Sequence, residues 1–229
     1  MYLLILGSPR SGTTLLSSMI GTHTDVAMLI EDRTFAIKKL TSKKVLANKL
    51  CIPHQIEITK RANHFTNFLR RKLGLIKNYP SSKNNIEDYL ALEDAKIICI
   101  VRDYRDVVAS IMKRGKKDLT VAKGRWIRGI DMMYELSTQY PEKVIVVSYE
   151  DLVKNTESIL RQLCDFLKIS FQEDMLEGYK YNILYPDQKK IDKSRAFKAK
   201  QDDSQKNLIQ VPEDSLIFYE QLMLNRLKP

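Results

Sequence analysis

Two short stretches of this sequence carry residue types suited to holding an anion, and a third offers a carboxylate beside them. The first is Gly7-Ser8-Pro9-Arg10-Ser11-Gly12-Thr13-Thr14, which follows the apolar run Tyr2-Leu3-Leu4-Ile5-Leu6 and precedes a segment of helical character. Strand, glycine loop and helix form the context in which successive backbone N–H groups point inward at a phosphate, reinforced by the partial positive charge of the helix start. A nucleoside-triphosphate loop would carry lysine at position 13, whereas this chain has Thr13, and its only loop cation is Arg10. An anion is expected, and a triphosphate gripped by the usual lysine is disfavoured. Ser8, Pro9, Arg10, Ser11, Gly12, Thr13 and Thr14 are the candidate binding residues.

The second stretch is Val101-Arg102-Asp103-Tyr104-Arg105-Asp106-Val107-Val108-Ala109-Ser110. Arg102 stands at a strand tip, and Ser110 faces back from the helix after it. The two offer charge-assisted and hydroxyl hydrogen bonds to one phosphate. The third is Glu31, which closes the apolar run Val26-Ala27-Met28-Leu29-Ile30 and so projects where a strand ends. Its neighbour Asp32 is a rival carboxylate. Side chains alternate along an extended chain, so only one of the two is expected to face a pocket.

Elements that position these groups are legible from apolar runs. Residues 2–7, 96–101 and 144–147 read as strands, 2–7 buried and 96–101 apolar on both faces as a central parallel strand should be. Residues 12–21, 105–114, 119–139, 156–168 and 212–226 read as helices, with Trp126, Ile130, Met133 and Leu136 on one core face. Helical character is also expected over 34–50 and 59–73, a loop over 77–85, and a short helix over 86–93. Strands alternating with helices imply an α/β chain: a single-domain, P-loop-type, three-layer fold with a central parallel sheet flanked by helices. One domain is expected over residues 1–229, with the nucleotide motifs within 1–168 and a basic segment plus closing helix over 185–229. Ligands in such folds bind at the carboxyl ends of the strands.

The chain has 229 residues, 44% of them hydrophobic, and a net charge of +10. Lysine and arginine clusters recur, including residues 189–200, and such a surface attracts anions, whether a cofactor, an acceptor or nucleic acid. No stretch is long and apolar enough to span a bilayer. Met1 leads directly into the first strand, so no signal peptide is expected ahead of it. Cys51, Cys99 and Cys164 lack metal-ligand spacing and read as reduced thiols, so a cytoplasmic setting is expected. His23, in the turn after the first helix, is expected to be structural.

Arg102, Ser110 and the opening loop together resemble the sulfotransferases that use 3′-phosphoadenosine 5′-phosphosulfate (PAPS). Their second nucleotide motif runs Arg-Asp-Pro-Arg-Asp with a serine eight residues after the first arginine; here Tyr104 replaces the proline. Ser148-Tyr149-Glu150-Asp151-Leu152, directly after a strand, looks like a further family segment, in which Tyr149 lies near the adenine. The loop is more similar to the tyrosylprotein and bacterial branches than to the cytosolic small-molecule branch. In those branches a glutamate base lies twenty-one residues after the loop arginine, in a Glu-x-Arg element. That interval lands on Glu31, with Arg33 as a substrate-binding residue. The tyrosylprotein branch also implies a lysine twenty-five residues before the 3′-phosphate arginine, which is Lys77.

The resemblance implies transfer of a sulfuryl group from PAPS to an acceptor hydroxyl by in-line displacement, leaving 3′-phosphoadenosine 5′-phosphate (PAP). Arg10, Glu31 and Lys77 are the catalytic candidates. No metal, no nucleic-acid partner and no membrane span are expected, and the acceptor class is open. Two other readings stand beside it: a P-loop kinase or nucleotide-binding protein, and a non-catalytic basic module that binds nucleotide or nucleic acid.

Overall fold

Leu3 and Ile5 pack into one apolar cluster while Leu4 and Leu6 pack into another, so the first strand is buried on both faces. That period of two is the reason the run reads as uniformly apolar. A computed structural model describes residues 1–39, 43–57, 84–180 and 209–229 of the chain. Strands β1 (Tyr2–Gly7), β2 (Val26–Ile30), β3 (Val45–Cys51), β6 (Ala95–Val101) and β7 (Val144–Ser148) form one sheet in the order β2-β3-β1-β6-β7. Every pairing in it is parallel. The two-residue strands β4 (Ile56–Glu57) and β5 (Asn84–Asn85) pair separately.

Helices cover both faces. Helix α1 (Thr13–Gly21) lies on one side with α6 (Thr156–Leu167), burying Leu16, Met19, Ile20, Ile159, Leu160 and Leu163 against Ile98 and Ile100. On the other face lie α2 (Ile86–Leu90), α3 (Tyr104–Gly115) and α4 (Leu119–Gln139). Trp126, Ile130, Met133 and Leu136 of α4 are all in that core, as their spacing predicts. Asp118 caps α4 by accepting from Val121 N at 2.8 Å, and Asp103 caps α3 by accepting from Arg105 N at 2.8 Å. Helix α5 (Tyr149–Lys154) follows β7, α7 (Asp174–Glu177) follows α6, and α8 (Glu213–Leu224) closes the chain. Phe218 of α8 stacks on Tyr134 at 4.4 Å, and beyond the helix Leu227 N donates to Val146 O at 2.9 Å. Among the described residues no helix is long and apolar enough to cross a membrane.

One expectation is corrected. The helical reading of 34–50 gives way to a short 3-10 turn over Ala36–Lys39 followed by strand β3 in the interior of the sheet. Asn48 and Lys49 interrupt the apolar pattern of β3, yet both are fully buried. The strand tolerates them because each finds partners from other elements. Residues 59–73, Lys77 and 189–200 lie outside the described residues.

The connection leaving β1 covers one face of the sheet and the one leaving β6 covers the other. The crevice between their carboxyl ends is therefore the switch point at which such sheets bind ligands. Arg10 and Arg102 stand on its two sides.

Candidate functional site

The loop after β1 turns tightly because two residues adopt left-handed backbone: Arg10 at φ 75° and Gly12 at φ 104°. Ser11 N donates to Ser8 O at 3.1 Å inside the turn. A Cβ on Gly12 would overlap the Tyr149 ring, and one on Gly7 would meet Ile100 O at 2.8 Å. Glycine is thus required at both places, once for φ and once for close approach. Successive amides turned inward in this way form an anion-binding concavity at the start of α1.

Arg10 and the second motif meet across the crevice. Arg10 Nε donates to Ser110 Oγ at 3.1 Å. Arg102 reaches Arg10 O at 3.4 Å and Asp106 Oδ2 at 3.3 Å, and its guanidinium lies 4.2 Å above the Tyr149 ring. Asp103 pairs instead with Arg105 at 2.7 Å, so Arg102 is not spent on a surface pair with its neighbour. Tyr149 sits between Gly12 and Arg102 as a platform. Burial pushes its phenol above the ordinary tyrosine value, partly opposed by the Arg102 charge. Ser8 Oγ, Ser11 Oγ and Arg102 Nε are buried with no partner. Buried polar atoms in native proteins are nearly always paired, and orphans call for a ligand or water. These three belong to the two segments whose residue types suit phosphate.

On the other side of the loop, Glu31 ends β2 with φ 59°. The left-handed residue breaks the strand alternation expected of Glu31 and Asp32, and a turn separates the two carboxylates instead. Asp32 accepts from Thr34 N at 3.1 Å, Thr34 Oγ1 at 2.6 Å and Ala36 N at 2.8 Å, and is thereby committed to the turn. Glu31 Oε1 accepts from Lys49 Nζ at 2.6 Å and Oε2 from Gln55 Nε2 at 2.6 Å. Burial alone would raise the Glu31 pKa. The Lys49 hydrogen bond and charge, the Gln55 bond and the Arg33 charge outweigh it and hold the carboxyl below its ordinary value. Arg33 itself is exposed.

Lys49 and Gln55 are not apparent from the sequence. The Lys49 side chain is 1% exposed, and its amine also lies 3.8 Å from Cys51 Sγ, which is 3.9 Å from Thr13 Oγ1 in the loop. A continuous chain of contacts therefore joins Glu31 to the anion loop through Lys49 and Cys51. The available signal was a lone lysine inside Val45-Leu46-Ala47-Asn48-Lys49-Leu50-Cys51-Ile52, since a buried lysine demands a partner. Lys77, the lysine expected from the family interval, lies outside the described residues. His23 is structural: Nδ1 accepts from Asp25 N at 2.9 Å, so Nε2 donates to Ser170 O at 2.7 Å.

Residues 2–210 match the family described as the sulfotransferase domain. Protein-tyrosine sulfotransferase 1 of Danio rerio is 30% identical over 191 residues, covering 74% of this chain and 54% of that protein. The protein-tyrosine sulfotransferase of Drosophila melanogaster is 28% identical over 192 residues, covering 74% and 38% respectively. The chain thus spans about half or less of the length of these curated relatives. Among solved structures, the sulfotransferase domain from the curacin biosynthetic pathway aligns with TM-score 0.57 at 19% identity, covering 99% of this chain and 98% of that one. A mouse sulfotransferase complexed with PAP aligns with TM-score 0.53 at 14% identity, covering 98% and 84%. At these identities the likeness is one of fold.

Proposed function

Because the chain belongs to the sulfotransferase domain family, we propose that it moves a sulfuryl group from PAPS to an acceptor hydroxyl by in-line displacement. The observation that carries this reading is the crevice itself. Arg10, Ser110 and Arg102 are joined by hydrogen bonds there, and Ser8, Ser11 and Arg102 each present a buried polar atom without a partner. These atoms fit the two phosphate groups of the nucleotide. Ser8, Ser11, Gly12, Thr13 and Thr14 hold the 5′ side, and Arg102 with Ser110 holds the 3′-phosphate. When bound, the donor supplies an activated sulfate ester whose leaving group is a phosphate oxygen.

The rest is the work of this chain's residues. Arg10 sits in the loop where negative charge accumulates on the leaving oxygen, and preorganised charge at that point lowers the barrier. Glu31 is the general base for the acceptor proton, kept ionised by Lys49 and Gln55. Lys49 supplies the buried positive charge between Glu31 and the loop. Arg33, exposed beside Glu31, faces the acceptor. Thr13 in place of the loop lysine speaks against a kinase.

Both curated relatives are by name protein-tyrosine sulfotransferases, which puts a peptide tyrosine first in an acceptor panel that also holds carbohydrate, lipid and small alcohols. The test is transfer of labelled sulfate from PAPS across that panel, with mass spectrometry of the product, alongside calorimetry with PAP and with ATP–magnesium. Transfer together with PAP binding is expected. ATP–magnesium binding with no transfer would return the chain to the kinase reading, and salt-sensitive nucleic-acid binding without turnover to the non-catalytic one.

A further inference from the structure

Gln55 lies in the turn between β3 and β4 and is 5% exposed. It is locked to Cys51 twice over: its backbone N donates to Cys51 O at 2.9 Å, and its Oε1 accepts from Cys51 N at 2.7 Å. The second bond decides which way the amide points. A backbone N–H can only donate, so the side-chain atom facing it must be the carbonyl oxygen, and the other end must be the NH2 group. That NH2 group is 2.6 Å from Glu31 Oε2. Both of its hydrogens are donors, so Glu31 Oε2 must accept, an arrangement that favours the ionised carboxylate. Glu31 is also pinned from behind, because its backbone N donates to Lys49 O at 2.8 Å while Lys49 Nζ holds Oε1 at 2.6 Å.

We infer that Gln55 is a positioning residue for the Glu31 base: it fixes the rotation of the carboxylate and keeps it deprotonated, so that the remaining lone pairs meet the acceptor hydroxyl. The inference rests on the sulfuryl-transfer reading for the identity of the base. Its geometric content, that Gln55 controls the orientation and ionisation of Glu31, does not. A carboxylate has about four acceptor positions and the two clamps use one on each oxygen, which leaves the others for substrate. The direction of the effect on Glu31 agrees: the Gln55 bond is among the influences that hold its carboxyl below the ordinary value. Holding a catalytic group through a rigid neighbour rather than by its own packing suits a side chain at a half-open edge, where an unrestrained carboxylate would sample several rotamers.

Gln55→Glu separates this role from the structural one. The substitution keeps an oxygen for Cys51 N–H, replaces the NH2 donor and adds a carboxylate charge beside Glu31, so the charge-free Gln55→Met is measured beside it throughout. PAP affinity and the KM for the donor are expected to hold. The kcat at neutral pH is expected to fall at least about tenfold, and the acid limb of the kcat profile to move to higher pH. An acid limb that stays where wild type has it overturns the proposal. Gln55→Met, similar in volume with neither donor nor acceptor, also stands in should the first fail to fold. An activity-independent measurement accompanies both: the Glu31 carboxyl is followed by 13C NMR titration, assigned by its loss in Glu31→Gln. It is expected to titrate at higher pH in Gln55→Met than in wild type, and an unchanged titration again overturns the proposal. If wild type transfers no sulfate to any acceptor, the functional reading fails while this titration still decides the role of Gln55.

Discussion

On the β1–β6 side of the sheet edge, Ser8 Oγ, Ser11 Oγ and Arg102 Nε are buried and unpartnered. On the β2–β3 side, both oxygens of Glu31 and the amine of Lys49 are engaged. The loop of the first side is turned by two left-handed residues and walled by an arginine stacked on a ring. The second side is an ion pair closed by an amide. Unpaired donors are costly unless a ligand takes them up, which supports the proposed binding role of the first side. A carboxylate already held ionised and oriented needs no ligand to complete it, which supports the proposed chemical role of the second. Cys51 and Thr13 connect the two.

The contrast predicts that changes on the two sides damage different observables. Glu31→Gln keeps size but removes the carboxylate proposed as base and one of its two acceptor oxygens, and is expected to lower turnover by about 10²–10⁴-fold with PAP affinity intact. Steady-state kinetics paired with calorimetry check both halves of that statement. Asp32→Asn is the control. Because Asp32 serves the turn after β2, it is expected to cost about 1 kcal/mol of stability with turnover near normal. If Asp32→Asn abolishes turnover and Glu31→Gln does not, the two carboxylates have been assigned the wrong way round.

Arg102→Ala should show the opposite signature. It removes charge-assisted bonds to phosphate and is expected to weaken PAP by about 1.5–3 kcal/mol, read by calorimetry. Unchanged affinity would mean that the orphaned Nε serves something other than the nucleotide. Arg10 lies in the loop with its Nε on Ser110 Oγ at 3.1 Å, and the proposed reading also gives it the charge of the leaving oxygen. Arg10→Ala is expected to lower kcat more than it weakens PAP, and equal losses would make it a phosphate clamp alone.

A smaller effect is expected at the platform. Tyr149→Phe keeps the ring under Arg102 and above Gly12 and should leave PAP affinity unchanged. Tyr149→Ala removes the cation–π contact, worth about 0.5–2 kcal/mol, and loosens both Arg102 and the loop. A loss with Tyr149→Phe as large as with Tyr149→Ala would show that the hydroxyl, not the ring, is used.

The loop and the Arg102–Ser110 segment were legible as candidates because their elements are local. Strand β1, its glycine loop and helix α1 are contiguous, and Arg102 and Ser110 are eight residues apart on one strand–helix joint. The chemical side was half hidden. Glu31 could be placed because it ends an apolar run. Lys49 and Gln55 could not, because their roles depend on β3 inserting between β1 and β2. Nothing in the neighbourhood of Val45–Cys51 announces that pairing. Asn48 and Lys49 made the strand look amphipathic, and the partners that excuse their burial, Asp32 O and Tyr89 OH for Asn48 and Glu31 for Lys49, come from far along the chain. Glu31 and Asp32 do point to different surroundings as expected, but through the left-handed φ at Glu31 and the turn after it rather than through strand alternation.

The smallest expected effect is read with acid. The Glu31 carboxyl of the β2–β3 side has a folded pKa below its ordinary value of 4.5. Its sign follows from linkage: a carboxyl with a depressed folded pKa contributes stability above its unfolded pKa, and that contribution disappears as pH falls through the folded value. The size is limited because the side chain of Glu31 remains 35% exposed, so solvent screens the pair and at most about 1 kcal/mol is expected. Denaturant unfolding of wild type and Glu31→Gln at neutral pH and again below pH 4.5 reads the difference. The wild-type advantage should shrink with acid as the Glu31 carboxyl is protonated. If the Glu31→Gln difference is flat across that window, Glu31 is no better held in the folded protein than in the unfolded chain. The contrast between an open binding side and a clamped chemical side would then lose its second half.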